Sequence, residues 1–177
     1  HKVESEYGKR FRDFLKRVSF QFPHVIYVAG NHEFYDSGKF YGGLAELEMA
    51  CMVHDNVYFL ERATKVINDV VFIGGTLWTD MNKEDPITLH AMTSMMNDFR
   101  CVSNSNREVH FKDQENKFHT RVAKFSPEDA VEENKKSFAY IRKIVENCAP
   151  WEHIVVVGHH TPSHQSCHPR YKDDQLM

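Results

Sequence analysis

Two short polar segments, each directly after an apolar run, carry the residues best suited to chemistry. Residues 30–33 (Gly-Asn-His-Glu) follow the run VIYVA, and residues 158–160 (Gly-His-His) follow IVVV. Glycine permits a sharp turn and a close approach of the backbone to a ligand. The amide oxygen of Asn31 and an imidazole nitrogen of His159 together suit a first-row divalent metal. The sequence therefore predicts Asn31 and His159 as metal ligands.

The neighbours of Asn31 suggest acid–base chemistry beside such a metal. Because His32 follows Asn31 directly, it is predicted to point beside the metal, where it donates a proton to a leaving oxygen or stabilises phosphoryl charge. Glu33 is predicted to orient His32 and raise its pKa. Taken alone, Gly-Asn-His after a strand is usually a simple turn, and His-His after a strand is more often a packed or surface pair. Their joint occurrence at two strand ends favours a shared chemistry.

The surrounding pattern predicts elements that bring the two segments to the same region. Periodicity, caps and breakers predict helices over 4–20, from a cap at Ser37 and from Ser126 to about 147, with strands at 25–29, 57–60, 64–67, 70–73 and 154–157. Asn68 and Asp69 read as a two-residue hairpin turn. Residues 81–125 read as irregular apart from a short helix near 88–97. This order predicts an α/β layered domain, in which ligands bind beyond the carboxyl ends of the strands.

Composition limits the classes of protein that remain. A length of 177 residues fits one domain spanning 1–177, and a net charge of −3 gives no global basic field for duplex DNA. The longest apolar runs have about five residues against the roughly 20 needed to span a bilayer, so no membrane partner is expected. Four widely spaced cysteines without a C-x-x-C favour reduced thiols, and hence a cytoplasmic protein.

The two segments resemble known sequence blocks. V-I-Y-V-A-G-N-H-E (25–33) and V-V-V-G-H-H-T-P (155–162) are similar to the third and fourth blocks of the calcineurin-like metallophosphoesterases, and residues 72–80 resemble the stretch between them in bacterial and phage-type members. The resemblance implies an αββα sandwich and hydrolysis of a phosphomonoester or phosphodiester by two divalent metal ions with a bridging hydroxide. It implies that Asn31 and His159 are ligands, that His32 is catalytic and that His160 lies just outside the ligands. It does not distinguish Mn, Fe, Zn and Mg.

Residues between the two blocks are assigned more loosely. Asp98 and Arg100, in the irregular insert, are expected to line the site. Met95, Met96 and Phe99 are expected in the core. Thr76 and Trp78 are expected beneath the metal site, with Trp78 equally suited to the core.

The chain lacks three of the five blocks of that family. No D-x-H, G-D-x-x-D or G-H-x-H occurs in it, and their expected places are before His1 and after Met177. We therefore expect a sandwich incomplete at both ends, with this chain as its central portion. The alternative is a non-catalytic binding or scaffold domain with a degraded metal site. A phosphorylated small molecule, a nucleotide and a nucleic-acid end all remain open as substrates, and the sequence does not indicate an oligomeric state.

Overall fold

The computed structural model describes residues 6–35, 39–149, 153–166 and 168–171. Its elements are α1 (Glu6–Gln21), β1 (Val25–Tyr27), α2 (Phe40–Cys51), β2 (Val57–Phe59), β3 (Ala63–Ile67), β4 (Val70–Gly75), α3 (Met81–Glu84), α4 (Pro86–Met95), α5 (Asp98–Cys101), β5 (Ser103–Lys112), β6 (Phe118–Lys124), α6 (Pro127–Asn147) and β7 (His153–Gly158). Short 3₁₀ turns cover Asn31–Phe34, His164–Ser166 and Pro169–Tyr171. The chain is thus of the mixed α/β class, as predicted.

Strand pairing places the two polar segments on neighbouring parts of the sheet system. β1 pairs in parallel with β2, while β4 pairs antiparallel with β3 and in parallel with β7. The β1–β2 pair and the β3–β4–β7 group lie close together at Gly74 in β4. A Cβ added to Gly74 would lie 2.3 Å from the Cβ of Leu60, the residue that follows β2. Together with the pair β5 and β6, the described strands form three sheets, of two, three and two strands. The αββα sandwich stays a prediction.

The predicted hairpin and the last long helix are confirmed. β3 and β4 join through Asn68 and Asp69, with φ of 48° and 64°, the positive values that a two-residue type I′ turn requires. In α6, Ser126 and Asp129 exchange hydrogen bonds as a capping box, with Pro127 at the first helical position. Such a start satisfies two backbone N–H groups that no helical carbonyl reaches. The predicted cap of α2, Ser37, lies outside the described residues.

The short helix expected near 88–97 is present as α4, but the expectation that the rest of 81–125 is irregular is wrong. β5 and β6 form a two-stranded antiparallel ribbon, with a register shift between Asn104 and Glu108. Its outer part is exposed on both faces, although Val109 and Phe111 alternate with polar residues along β5, a pattern typical of a strand. Before it, α3 is a single turn with φ of 51° to 63° at all four residues, a left-handed conformation that non-glycine residues rarely adopt.

The main core lies where four parts of the chain meet: the polar segment after β1, helix α2, the segment after β4, and helix α6. Its fully buried aromatic side chains include Phe34, Phe40 and Phe125, with Trp78 packed among them. Phe99 joins this cluster and Met96 packs against it. Met95 was expected in the core, but it is the last residue of α4 and is 61% exposed. No helix in the described part of the chain is long and apolar enough to cross a membrane.

Candidate functional site

The segment after β1 is shaped by the carboxylate of Glu33. Asn31 begins a 3₁₀ turn with Gly30 as its N-cap. The backbone N–H of Gly30 donates to Glu33 Oε2 at 2.9 Å, and the hydroxyl of Tyr27 donates to Glu33 Oε1 at 3.1 Å. Phe34 anchors the turn by full burial in the core. Glu33 thus fixes the backbone of the turn, whereas the sequence predicted that it orients His32.

The segment after β7 is held by the residue that follows β4. Because Gly75 pairs with Gly158, the backbone of Thr76 lies beside the two histidines. The Thr76 carbonyl accepts the backbone N–H of His160 at 3.2 Å and pairs with His160 Nδ1 at 3.0 Å. A carbonyl only accepts hydrogen bonds, so Nδ1 carries the ring proton. Burial lowers the pKa of His160, opposed in part by the Thr76 carbonyl, and this favours the neutral ring.

Thr76 and Trp78, which were expected beneath the metal site, both contact His160. The rings of Trp78 and His160 stack with centroids 5.2 Å apart, and Trp78 is also part of the core. The core position expected for this tryptophan is confirmed, and its place beneath a metal site stays a prediction. Thr76 in turn is held by Glu61, since its backbone N–H and its hydroxyl each donate to Glu61 Oε2 at 2.9 Å.

The two segments meet through the residues predicted as metal ligands. His159 Nε2 lies 3.0 Å from Asn31 Oδ1, although 128 residues of chain separate the two residues. Their approach depends on Gly30, because a Cβ at that position would lie 2.8 Å from His159 Cε1 and 2.9 Å from Glu33 Oε2. The two segments therefore lie together, as the α/β pattern predicted, while metal binding by Asn31 and His159 stays a prediction.

A buried carboxylate fixes which way the Asn31 amide faces. Asp98, 2% exposed, accepts Asn31 Nδ2 at 2.8 Å through Oδ1 and the hydroxyl of Tyr35 at 3.1 Å through Oδ2. A carboxylate cannot donate, so the NH₂ group must face Asp98 and the amide oxygen must face His159. Burial, and then the charge of Asp98, raises the pKa of Tyr35 to about 12. The hydroxyl therefore stays protonated as a donor at any ordinary pH.

The two remaining predicted residues, His32 and Arg100, are both exposed and contact different neighbours. His32 is exposed, and its ring stacks on Tyr35 with centroids 4.5 Å apart. Tyr35 links it to Asn31, because the Tyr35 hydroxyl lies 3.4 Å from Asn31 Nδ2. Arg100 was expected to line the site. It is exposed and donates to Asn97 Oδ1 at 2.6 Å, because the single turn of α5 directs Asp98 inward and Arg100 to solvent.

The Asn31–His159 pair fits two adjacent ligands of one metal ion. Two ligands about 2.1 Å from an ion and about 90° apart lie about 3.0 Å from each other, the separation found here. The described residues contain no group of three or more His, Cys, Asp or Glu side chains placed to hold an ion. This part of the chain therefore offers two converging donors, and a tight site needs more.

Tyr35 and Glu61 are members of the site that sequence reasoning missed. Tyr35 follows Asn31 by four residues, a spacing that places two side chains on one face of a helical turn, so its position gave a usable signal. Glu61 gave none, because its role depends on Thr76, which lies fifteen residues further along the chain.

Comparison with known proteins gives one distant relative. The chain is 23% identical over 164 residues to an uncharacterized protein of Acanthamoeba polyphaga mimivirus, a match that covers 90% of this chain and 52% of that protein. The chain thus spans about half the length of the curated relative it matches. No protein-family profile matches the chain, and no solved structure matches it.

Proposed function

We propose that this chain carries part of the active site of a metal-dependent phosphoesterase with the αββα sandwich fold. The observation that supports this most is the approach of Asn31 Oδ1 to His159 Nε2 at 3.0 Å, with His32 beside the pair. Two strand-end segments far apart in the chain converge there on donors of the type that first-row divalent metals take.

In this proposal, each described side chain has a defined task. Asn31 and His159 hold one ion, and Asp98 keeps the Asn31 oxygen turned towards it. Two bound divalent ions supply Lewis-acid activation of the phosphoryl group and of the attacking water. His32 donates a proton to the leaving oxygen or a hydrogen bond to a phosphoryl oxygen. The remaining ligands come from outside the described residues. The substrate is a phosphorylated small molecule, a nucleotide or a nucleic-acid end, met in the cytoplasm.

The test uses the protein at its full natural length. We expect it to hydrolyse p-nitrophenyl phosphate or bis-p-nitrophenyl phosphate with Mn²⁺ and to lose that activity in excess chelator, with recovery when the metal is restored. Activity that persists in chelator, after metal analysis finds no bound ion, would contradict the proposal.

Three substitutions separate ligands from the proton donor. Asn31→Ala and His159→Ala should lower metal occupancy, whereas His32→Ala should lower turnover by roughly 10²–10⁴-fold with little loss of metal. His90→Ala, an exposed histidine on α4, is the control and should change neither. Equal metal loss in the first three variants would make His32 a ligand.

A second candidate function is a non-catalytic binding or scaffold domain. It is favoured by the lack of any group of three metal-binding side chains within the described ranges. Under that alternative, the full-length protein binds no metal, and Asn31→Ala leaves its properties unchanged apart from stability.

A further inference from the structure

Tyr35 touches the two candidate functional residues by two different parts of its side chain. It stands three residues after His32 and four after Asn31, at the end of one helical turn. Its ring stacks on the His32 imidazole at 4.5 Å and an interplanar angle of 23°. Its hydroxyl donates to Asp98 Oδ2 at 3.1 Å and lies 3.4 Å from Asn31 Nδ2.

The hydroxyl matters because Asp98 has to remain in one orientation. Oδ1 of Asp98 receives Asn31, and Oδ2 receives Tyr35. With Tyr35 in place, rotation of the carboxylate would break two hydrogen bonds inside a buried site, and an unpaired buried carboxylate oxygen is costly. Without the hydroxyl, the carboxylate turns more freely, and the Asn31 amide loses its fixed direction.

The ring matters because His32 has little other support. His32 is exposed, and an exposed side chain samples several rotamers. Stacking on an aromatic face restricts these rotamers and keeps the imidazole next to Asn31. A proton donor that is held near its acceptor needs less ordering when the reaction occurs.

We propose that Tyr35 is a positioning residue with two separable roles: its hydroxyl orients the metal ligand Asn31 through Asp98, and its ring holds the proton donor His32. This inference rests on the proposed function and adds to it a residue that positions both a metal ligand and the proton donor. The two roles reside in different atoms, so substitutions separate them.

The experiment compares Tyr35→Phe with Tyr35→Leu in the full-length protein. Tyr35→Phe keeps the ring and removes the hydroxyl, so Mn²⁺ affinity should fall by about 10–100-fold, while the ring-current shift of the His32 ring protons in the metal-free protein is retained. Tyr35→Leu should also abolish that shift, and turnover at saturating Mn²⁺ should fall more than in Tyr35→Phe.

Tyr41→Phe is the matched control. The Tyr41 hydroxyl donates to the buried carboxylate of Glu133 at 3.0 Å, so this variant loses the same kind of hydrogen bond at a place outside the site. It should lower stability without changing Mn²⁺ affinity or the His32 shift.

Three results would overturn the inference. Wild-type Mn²⁺ affinity in Tyr35→Phe would remove the role of the hydroxyl, and an unchanged His32 shift in Tyr35→Leu would remove that of the ring. An equal loss of Mn²⁺ affinity in Tyr41→Phe would reduce both effects to general destabilisation. The Mn²⁺ titration and the shift need no turnover, so a protein without phosphoesterase activity would contradict the proposed function and still test the role of Tyr35.

Discussion

Gly30 is the residue on which the closest approach in the candidate site depends. Any residue can adopt its φ of −92°. Glycine is therefore needed here because it has no side chain, and not because of its backbone freedom. The missing side chain leaves room for the His159 ring on one side and the Glu33 carboxylate on the other. Both are fixed by partners of their own, and neither moves aside without breaking a hydrogen bond.

We therefore expect Gly30→Ala to lower the free energy of unfolding by about 1–3 kcal/mol, the usual cost of overpacking, and to weaken Mn²⁺ binding by the full-length protein. Gly42→Ala is the control, because a Cβ at Gly42 would meet only the Lys39 side chain, at an ordinary contact distance of 3.7 Å. Gly42 also lies in α2, where alanine favours the helix. Urea unfolding and Mn²⁺ titration measure both variants. A Gly30→Ala protein as stable as Gly42→Ala would contradict the packing described here.

Glu61 makes stability depend on pH in a direction opposite to that of most carboxylates. Burial raises its pKa above the ordinary value of 4.5, against the hydrogen bonds from Thr76 and the charge of Arg62. The folded protein therefore keeps this proton at pH values where the unfolded chain has lost it. By linkage, the contribution of Glu61 to the unfolding free energy falls as pH rises from about 4.5 to its folded-state pKa.

The variant Glu61→Gln isolates this effect. The difference in unfolding free energy, wild type minus variant, should decrease as pH rises above 4.5, as measured by urea unfolding from about pH 3 to pH 8. Glu132→Gln serves as the comparison, because Lys136 lowers the pKa of the exposed Glu132, and its difference should rise over the acid range. A flat difference for Glu61→Gln would mean that this carboxyl titrates normally.

At the scale of elements, the start of α6 is specified by adjacent residues. Ser126 accepts the N–H of Asp129 at 3.2 Å, and the Asp129 carboxylate accepts the N–H of Ser126 at 2.9 Å. Asp129 is also paired with Arg107 at the base of the ribbon at 2.9 Å. The cap thus links α6 to the β5–β6 ribbon.

Loss of this cap should be measurable. Ser126→Ala should lower the unfolding free energy by about 1 kcal/mol, a typical N-cap value. Ser19→Ala, which removes an exposed hydroxyl bonded to the Lys16 carbonyl inside α1, should have no cost or a slight benefit, since alanine is the better helix former. Thermal unfolding of both variants decides, and equal midpoints would argue against the cap.

The elements that the sequence predicted are those set by local rules. The turn at Asn68 and Asp69, the cap of α6 and the strands before each polar segment all follow from neighbouring residues. The apolar run before the second segment also predicted a buried strand, and this is wrong, because Val155 is 41% and Val156 46% exposed in β7. The ribbon was missed although Val109 and Phe111 alternate with polar residues, because its outer part is exposed on both faces and the connection over 113–117 has no glycine or proline to signal a hairpin. The sequence predicted that the two loops of the candidate site lie together. The contacts of Tyr35 with Asp98 and of Glu61 with Thr76 join residues far apart in the chain, and no sequence pattern indicated those pairings.

At the scale of the whole molecule, the described residues supply only part of the metal site that we propose. One amide oxygen and one imidazole provide no anionic group to hold two cations close together against their repulsion. We expect residues 1–177 alone to bind Mn²⁺ weakly and to show negligible hydrolysis of p-nitrophenyl phosphate. Calorimetric titration and a chromogenic assay test this. Micromolar binding of two ions with robust turnover would mean that side chains within the chain, such as Asp80, Asp98 or His164, complete the site.

The separation of Asn31 and His159 in the chain also sets when the site can exist. Joining them closes a loop of 128 residues, at a chain-entropy cost of about 4 kcal/mol. The β3–β4 hairpin closes over a two-residue turn, so we expect it to form early and the contact of β7 with β4 to form late. At synthesis rates of about 5–20 residues per second, the Asn31 turn leaves the ribosome roughly 6–26 s before its histidine partner. For that interval, the growing chain has to protect half of a site whose other half has not yet been made.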